Sequence, residues 1–249
     1  MAVWEWFIIF CCHNKLNTIS SLMTITLGNL YIIATPIGNN DDITLRAINT
    51  LKAVDGVICE EYRDGSTLLK ALDIEKKELI LYNEHNAAAQ TPIIIEKLIS
   101  GKNLALISDC GTPVFADPGY LLVEQAVIYQ IRVIPLPGPS SLTTTLSILD
   151  FKLDEFYFAG FLPRETQQRS ERLQKLKALK VPIVLMDTPY RLVKLLDEVI
   201  SAFGKSRLAT LACDLTLPTE KIYRGPLAEI RKSLEKQKAE FMLVIHRES

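Results

Sequence analysis

Apolar residues in the first half of the chain come as short unbroken runs, separated by stretches in which they recur every three or four positions. The runs NLYIIA (29–34), GVICE (56–60), ELILY (78–82), NLALIS (103–108) and IRVIPL (131–136) predict strands. Between them, DITLRAINTLKAV (42–54) sets Leu45, Ile48, Leu51 and Val54 on one helical stripe, with Asp42 placed to cap it. STLLKAL (66–72) predicts a short helix. TPIIIEKLISGK (91–102) predicts another, with Thr91 as its cap, Pro92 at its first position and Gly101 as its stop. PGYLLVEQAVIYQ (118–130) predicts a fourth. Strands that are apolar throughout, alternating with helices, imply a mostly parallel sheet covered on both faces.

PGPSS (137–141) ends that pattern. A helix over SLTTTLSIL (141–149) leads into EFYFAGFLP (155–163). There follow a charged helix (166–179), the strand VPIVLMD (181–187), a helix over 190–204, and the strand RLATLACDL (207–215). EKIYRG (220–225), a helix from Pro226 to about Gln237, and EFMLVIH (240–246) complete the chain. Strands now follow one another in pairs, which predicts a mixed sheet. The expected architecture is α/β in two domains, residues 27–140 and 141–249, with the boundary within 138–150.

The chain has 249 residues, 48% of them apolar, and a net charge of −1. That balance excludes a uniformly basic nucleic-acid binder and a disordered chain, while leaving room for a local basic patch. Residues 1–26 are expected to be an N-terminal extension, with Met23 as the natural start. Their apolar stretch of about ten residues is half a membrane span. No Lys or Arg precedes it and Glu5 lies inside it, which fits a secretory signal poorly. The five cysteines form no CxxC pair, and the three histidines are scattered. A reducing cytoplasm is therefore expected, with no structural metal and no membrane span.

Three Gly/Pro corners follow predicted strands: ATPIGN (34–39), SDCGTPVFADPGY (108–120) and PLPGPSS (135–141). In an open parallel sheet, ligands bind outside the carboxyl ends of the strands. Glycine there lets main chain approach a ligand, and proline fixes the loop in advance. The corners carry no Lys or Arg, and no phosphate-cradle pattern is present. They offer carbonyls, hydroxyls, Asp109 and Asp117, which suits a ligand with an amino group, ribose hydroxyls and positive charge.

LYIIATPIGNNDDITLRA, SDCGTPVFADPGY, VIPLPGPSSL, FAGFLPR, DTPYRL and RGPLAEI occur in order from Leu30 to about Ile245. Together they resemble the tetrapyrrole-methylase superfamily, and within it the branch of small-subunit ribosomal RNA 2′-O-ribose methyltransferases. The resemblance implies two α/β domains with S-adenosylmethionine in the cleft between them, usually in a homodimer. It implies cofactor contacts from Pro36, Cys110, Gly111, Thr112, Phe115, Ser140 and Ser141, and from Met186 and Leu215 of the second domain. The substrate would be small-subunit rRNA or the 30S particle.

A ribose hydroxyl is a weak nucleophile at neutral pH, so a base or a positioned polar group is expected beside it. Glu60, Glu61, Asp109 and the trio Glu84, His85 and Asn86 are candidates. The trio is preferred, because it matches the family's pattern at a strand end. For RNA, Arg63, Arg164, Arg169 and Arg172 are candidate phosphate contacts. Several acceptor-side positions depart from the family: Asn39–Asp42, Tyr62, Tyr190 and Cys213. The cofactor side is better kept. Methylation of a tetrapyrrole or other small molecule, or a non-catalytic cofactor binder, are the alternatives.

Overall fold

The computed structural model describes residues 26–75 and 77–248. The proposed extension, with Cys11, Cys12, His13 and Met23, lies outside the described residues except for Thr26. Two five-stranded sheets organise the chain. The first is built from β1 (Asn29–Ile33), β2 (Gly56–Cys59), β3 (Glu78–Leu81), β4 (Leu104–Ile107) and β5 (Arg132–Leu136), in the order β3-β2-β4-β1-β5. Every pairing in it is parallel. Helices α1 (Leu45–Ala53), α2 (Tyr62–Ala71), α3 (Ala87–Ile99) and α4 (Tyr120–Ile128) connect the strands. β2 and β4 are buried along their whole length, as unbroken apolar runs require. Two separate apolar clusters, one around Leu106 and Leu122 and one around Leu51 and Val57, cover the two faces.

The second sheet holds β6 (Tyr157–Gly160), β7 (Ile183–Asp187), β8 (Leu208–Cys213), β9 (Lys221–Pro226) and β10 (Phe241–Ile245), in the order β6-β7-β10-β8-β9. β6 and β7 are parallel and the other pairs antiparallel, so the sheet is mixed, as predicted. α6 (Thr166–Lys177), α7 (Leu192–Phe203) and α8 (Leu227–Ser233) enclose the larger core on one face. α5 (Ser141–Ser147) lies on the other, its Leu142 and Leu146 packed on Val184, Met242 and Val244. Among the described residues no helix is long and apolar enough to cross a membrane.

Three helix starts differ from the sequence reading, and α2 begins at Tyr62, four residues before the predicted Ser66. Asp42 sits in a single 3-10 turn (Asn40–Asp42), and Thr44 caps α1, its hydroxyl accepting from the Ala47 N–H. α3 begins at Ala87 rather than beside Thr91. An Asn83–Asn86 turn nucleates it: the Asn83 N–H donates to Asn86 Oδ1 at 2.8 Å, and the Ala87 N–H to the Asn83 carbonyl. Pro92 therefore lies within the helix, where its missing N–H leaves one carbonyl unbonded. Thr91 is buried there, bonded to the Tyr82 hydroxyl and the Ala87 carbonyl. Tertiary packing against Tyr82 outweighs its local capping preference. α8 is also shorter than predicted, ending at Ser233.

Candidate functional site

β1 lies between β4 and β5, with Ile33 opposite Ile107 on one side and Leu136 on the other. All three strands run the same way. The three Gly/Pro corners that follow them therefore leave the sheet side by side, and they are tied together. The Thr35 N–H donates to the Gly111 carbonyl at 2.9 Å, and its hydroxyl donates to the Ser108 carbonyl at 2.9 Å. Thr112 Oγ1 donates to the Pro139 carbonyl at 3.3 Å. Gly138 lies so close to Ala34 that a Cβ on it would stand 3.0 Å from the alanine methyl. Gly111 has φ +83°, the left-handed conformation that side chains resist, and its missing Cβ leaves room for Ile37.

The second sheet supplies the facing wall. Met186, Met242 and Ala212 are partners across β7, β10 and β8, so their side chains share one face. Leu215 follows β8 in a loop whose Asp214 and Thr216 both have positive φ. That loop meets the first corner closely: the Asn39 N–H donates to Thr216 Oγ1 at 3.0 Å, and Gly38 packs on the Leu215 carbonyl. Between the two walls is a cleft of about 330 Å³. Of the expected cofactor residues, Cys110, Ser141, Met186 and Leu215 line it. Gly111 and Thr112 belong to the same elbow, and Ser140 precedes α5 at its edge. Pro36 faces an adjoining hollow with Asp64, Ser108 and Asp109. Phe115 is not part of the cleft lining and stacks instead on Phe158, ring centroids 4.8 Å apart.

The lining also includes Asp117, which the sequence reading offered as a ligand-facing group of its corner, and Ile37, Phe161, Asp187, Glu240 and Phe241, which it did not assign. Asp117 was within a quoted motif, so a signal existed. Glu240 and Phe241 lie far along the chain from the corners and carried none. Among the described residues the lining holds three carboxylates and no Lys, Arg or His. Burial raises the pKa of each above the ordinary carboxylate value. For Asp117 the Ser108 hydroxyl, donating to it at 2.5 Å, works against the rise. For Asp187 the Thr188 N–H and Arg191 do so, and for Glu240 the neighbouring Asp214 adds to it. Such a cleft suits a cation with an apolar body and disfavours phosphate.

A second group lies one strand further along. Glu60 follows β2, Glu84 follows β3 and Asp109 follows β4, at neighbouring strand ends. Glu60 is pushed up to about 7, by burial first and then by the charges of Asp109, Asp117 and Glu84. Burial and Asp64 push Asp109 up to about 6. In the preferred trio, Glu84 and His85 are exposed, while Asn86 is committed to its turn, its Nδ2 donating to the Leu81 carbonyl at 3.2 Å.

The four arginines divide. Arg63 and Arg164 are exposed, and Arg172 is half-buried, with Nη2 donating to the Tyr157 hydroxyl at 2.8 Å. Arg169 is buried, 1% exposed, and bonded through two nitrogens to Glu198. Its guanidinium does not face solvent, which removes it from the phosphate-facing set. Helical spacing alone could not reveal this, because the partner lies 29 positions away.

Two α/β sheets facing one cleft, with main-chain elbows on one side and a lining that carries three carboxylates, define a two-sheet α/β protein with its candidate site between the halves. The chain belongs to the tetrapyrrole (corrin/porphyrin) methylase family, whose model matches residues 29–231. A relative from Mesorhizobium japonicum, named ribosomal RNA small subunit methyltransferase I, is 43% identical over 80% of this chain and 67% of its own. One of the same name from Halalkalibacterium halodurans is 40% identical over 81% of this chain and 69% of its own. Among solved structures, uroporphyrin III C-methyl transferase from Thermus thermophilus shares the fold. Its TM-score is 0.61 at 16% identity, covering 88% of this chain and 97% of that one.

Proposed function

We propose that the protein transfers a methyl group from S-adenosylmethionine to the 2′-hydroxyl of a cytidine in small-subunit rRNA, acting in the cytoplasm as a homodimer. The observation that carries the reading is the joining of the three corners opposite Met186, Met242 and Leu215. Elbows of main chain, an apolar wall and a lining whose charged groups are carboxylates together fit a sulfonium nucleoside. The relatives' shared name adds the RNA acceptor.

When bound, the cofactor supplies a methyl group activated by a positively charged sulfur. The chain's own residues do the rest. Gly111, Cys110 and Ser141 would hold the nucleoside by close approach, and Met186 and Leu215 would cover its apolar faces. Asp117, Asp187 and Glu240 favour the positive charge. Positioning of donor and acceptor accounts for much of the rate in such a displacement. Glu60 is the group best suited to take the proton from the acceptor oxygen, because its pKa lies near neutrality. Glu84, whose charge is felt at Glu60, and His85 would serve the acceptor side, and Arg63, Arg164 and Arg172 would receive RNA phosphates. α4 leaves Val127 and Ile128 each 63% exposed, an apolar surface that a second copy would cover.

Incubation of 30S particles with labelled cofactor, followed by mapping of the rRNA, tests the reading. One labelled ribose is expected. A cofactor that binds but never labels rRNA at any stage of subunit assembly would refute it.

A further inference from the structure

The loop from Phe161 to Glu165 joins the last residue of β6 to α6. Its outer side presents Phe161 to the cleft and leaves Arg164 exposed. Its inner side is gripped by guanidinium groups. Arg169 Nη1 donates to the carbonyls of Pro163, at 3.0 Å, and Arg164, at 2.7 Å. Arg191 Nη2 donates to the same Pro163 carbonyl at 3.4 Å. The other face of the Arg169 fork is bonded to both carboxylate oxygens of Glu198 on α7. Arg191 in turn lies 3.3 Å from Asp187, whose side chain is buried and which lines the cleft. Asp187 Oδ2 has no hydrogen-bond partner among the described residues.

A buried ion pair is expensive and often adds little stability compared with apolar packing. The two carbonyls so held belong to Pro163, half-buried, and Arg164, exposed, where water could have served instead. What the arrangement achieves is shape. Four donors of one rigid plane fix two consecutive carbonyls and one carboxylate at once, which a lysine cannot do. Leu162, 3% exposed, anchors the same loop in the core.

We infer that Arg169 and Glu198 are positioning residues. Their ion pair, with Arg191, clamps the 161–165 loop so that Phe161 closes on the cofactor cleft while Arg164 meets the acceptor. The inference rests on the proposed RNA methyl transfer for its acceptor arm. Neither residue is part of the cleft lining.

The test uses Arg169→Lys and Glu198→Gln, with Arg169→Met as the more severe variant. Three quantities are measured on the folded protein: cofactor affinity by calorimetry, kcat and KM for 30S subunits, and the rate of tryptic cleavage after Arg164. Expected are a cofactor affinity lowered about three- to tenfold, because Phe161 no longer closes on the cleft, and kcat/KM for the subunit lowered about tenfold or more, chiefly through KM. Tryptic cleavage after Arg164 should be about tenfold faster, because the freed loop opens locally. A role in stability alone would lower the melting temperature and leave KM and cleavage rate unchanged in the folded fraction, and that result overturns the inference. Should the wild type label no subunit RNA, the substrate reading falls. The clamp then stands or falls on the cleavage rate.

Discussion

The contact between Gly38 and the 215–217 loop sets the width of the cleft, and Gly38→Ala tests it. A Cβ on Gly38 would stand 2.8 Å from the Leu215 carbonyl oxygen, 2.8 Å from Thr216 Oγ1 and 2.9 Å from Leu217 Cγ. Ordinary contact begins at 3.4 Å, so the two loops must part by about 0.6 Å. Two of the three obstacles, a main-chain oxygen and a hydroxyl that accepts from the Asn39 N–H, cannot swing aside. Overpacking of this kind costs about 1–3 kcal/mol. The free protein can relieve it by opening, and the ligand must then work against it on closing. At 1.4 kcal/mol per factor of ten, cofactor affinity should fall about 5- to 150-fold. Calorimetry with S-adenosylmethionine measures this. Gly204→Ala is the control: φ is +96° there, with nothing within 4 Å of the new Cβ, so it should lower the melting temperature and spare affinity. If Gly38→Ala binds as tightly as wild type, the loops do not set the cleft, and the reasoning fails.

Gly111→Val should reduce cofactor binding below detection, because a β-branched residue at φ +83° is strained and its Cβ would stand 3.3 Å from Ile37; unchanged calorimetry would contradict the placement of the cofactor. If Glu60 takes the acceptor's proton, the single-turnover rate should rise about tenfold per unit of pH below about 7 and level off above it; a Glu60→Gln variant that keeps the rising limb would exclude that role. Glu60 and Asp109, with pKa values raised to about 7 and about 6, hold protons more tightly folded than unfolded. Their contribution to stability is therefore full below about pH 4 and is lost as pH rises through 6 to 7. Urea midpoints at pH 5 and pH 8 should show a fall that is smaller in Glu60→Gln, and an equal fall would place its cause elsewhere.

Strand and helix identities were legible along most of the chain, because unbroken apolar runs and helical stripes are local properties. So were the three corners, since glycine and proline mark turns wherever they occur. Local signals misplaced three helix starts, those of α1, α2 and α3. Thr44 outcompetes Asp42 as a cap, and Thr91 is drawn into the core by Tyr82. The polar character of 166–177 was correct as a helix and misleading for Arg169, the one arginine on it that faces inward.

By itself, the sequence determined that elbows follow strands, that those elbows carry no cation, and that the halves differ in sheet type. Only the tertiary structure decided that β1 lies between β4 and β5, which makes three separate corners into one wall. It alone brought Glu240 and Phe241 to that wall and paired Arg169 with Glu198. The physical reason is range. Periodicity and turn chemistry act over a few residues, whereas strand order and the burial of a charge depend on partners tens to hundreds of positions away.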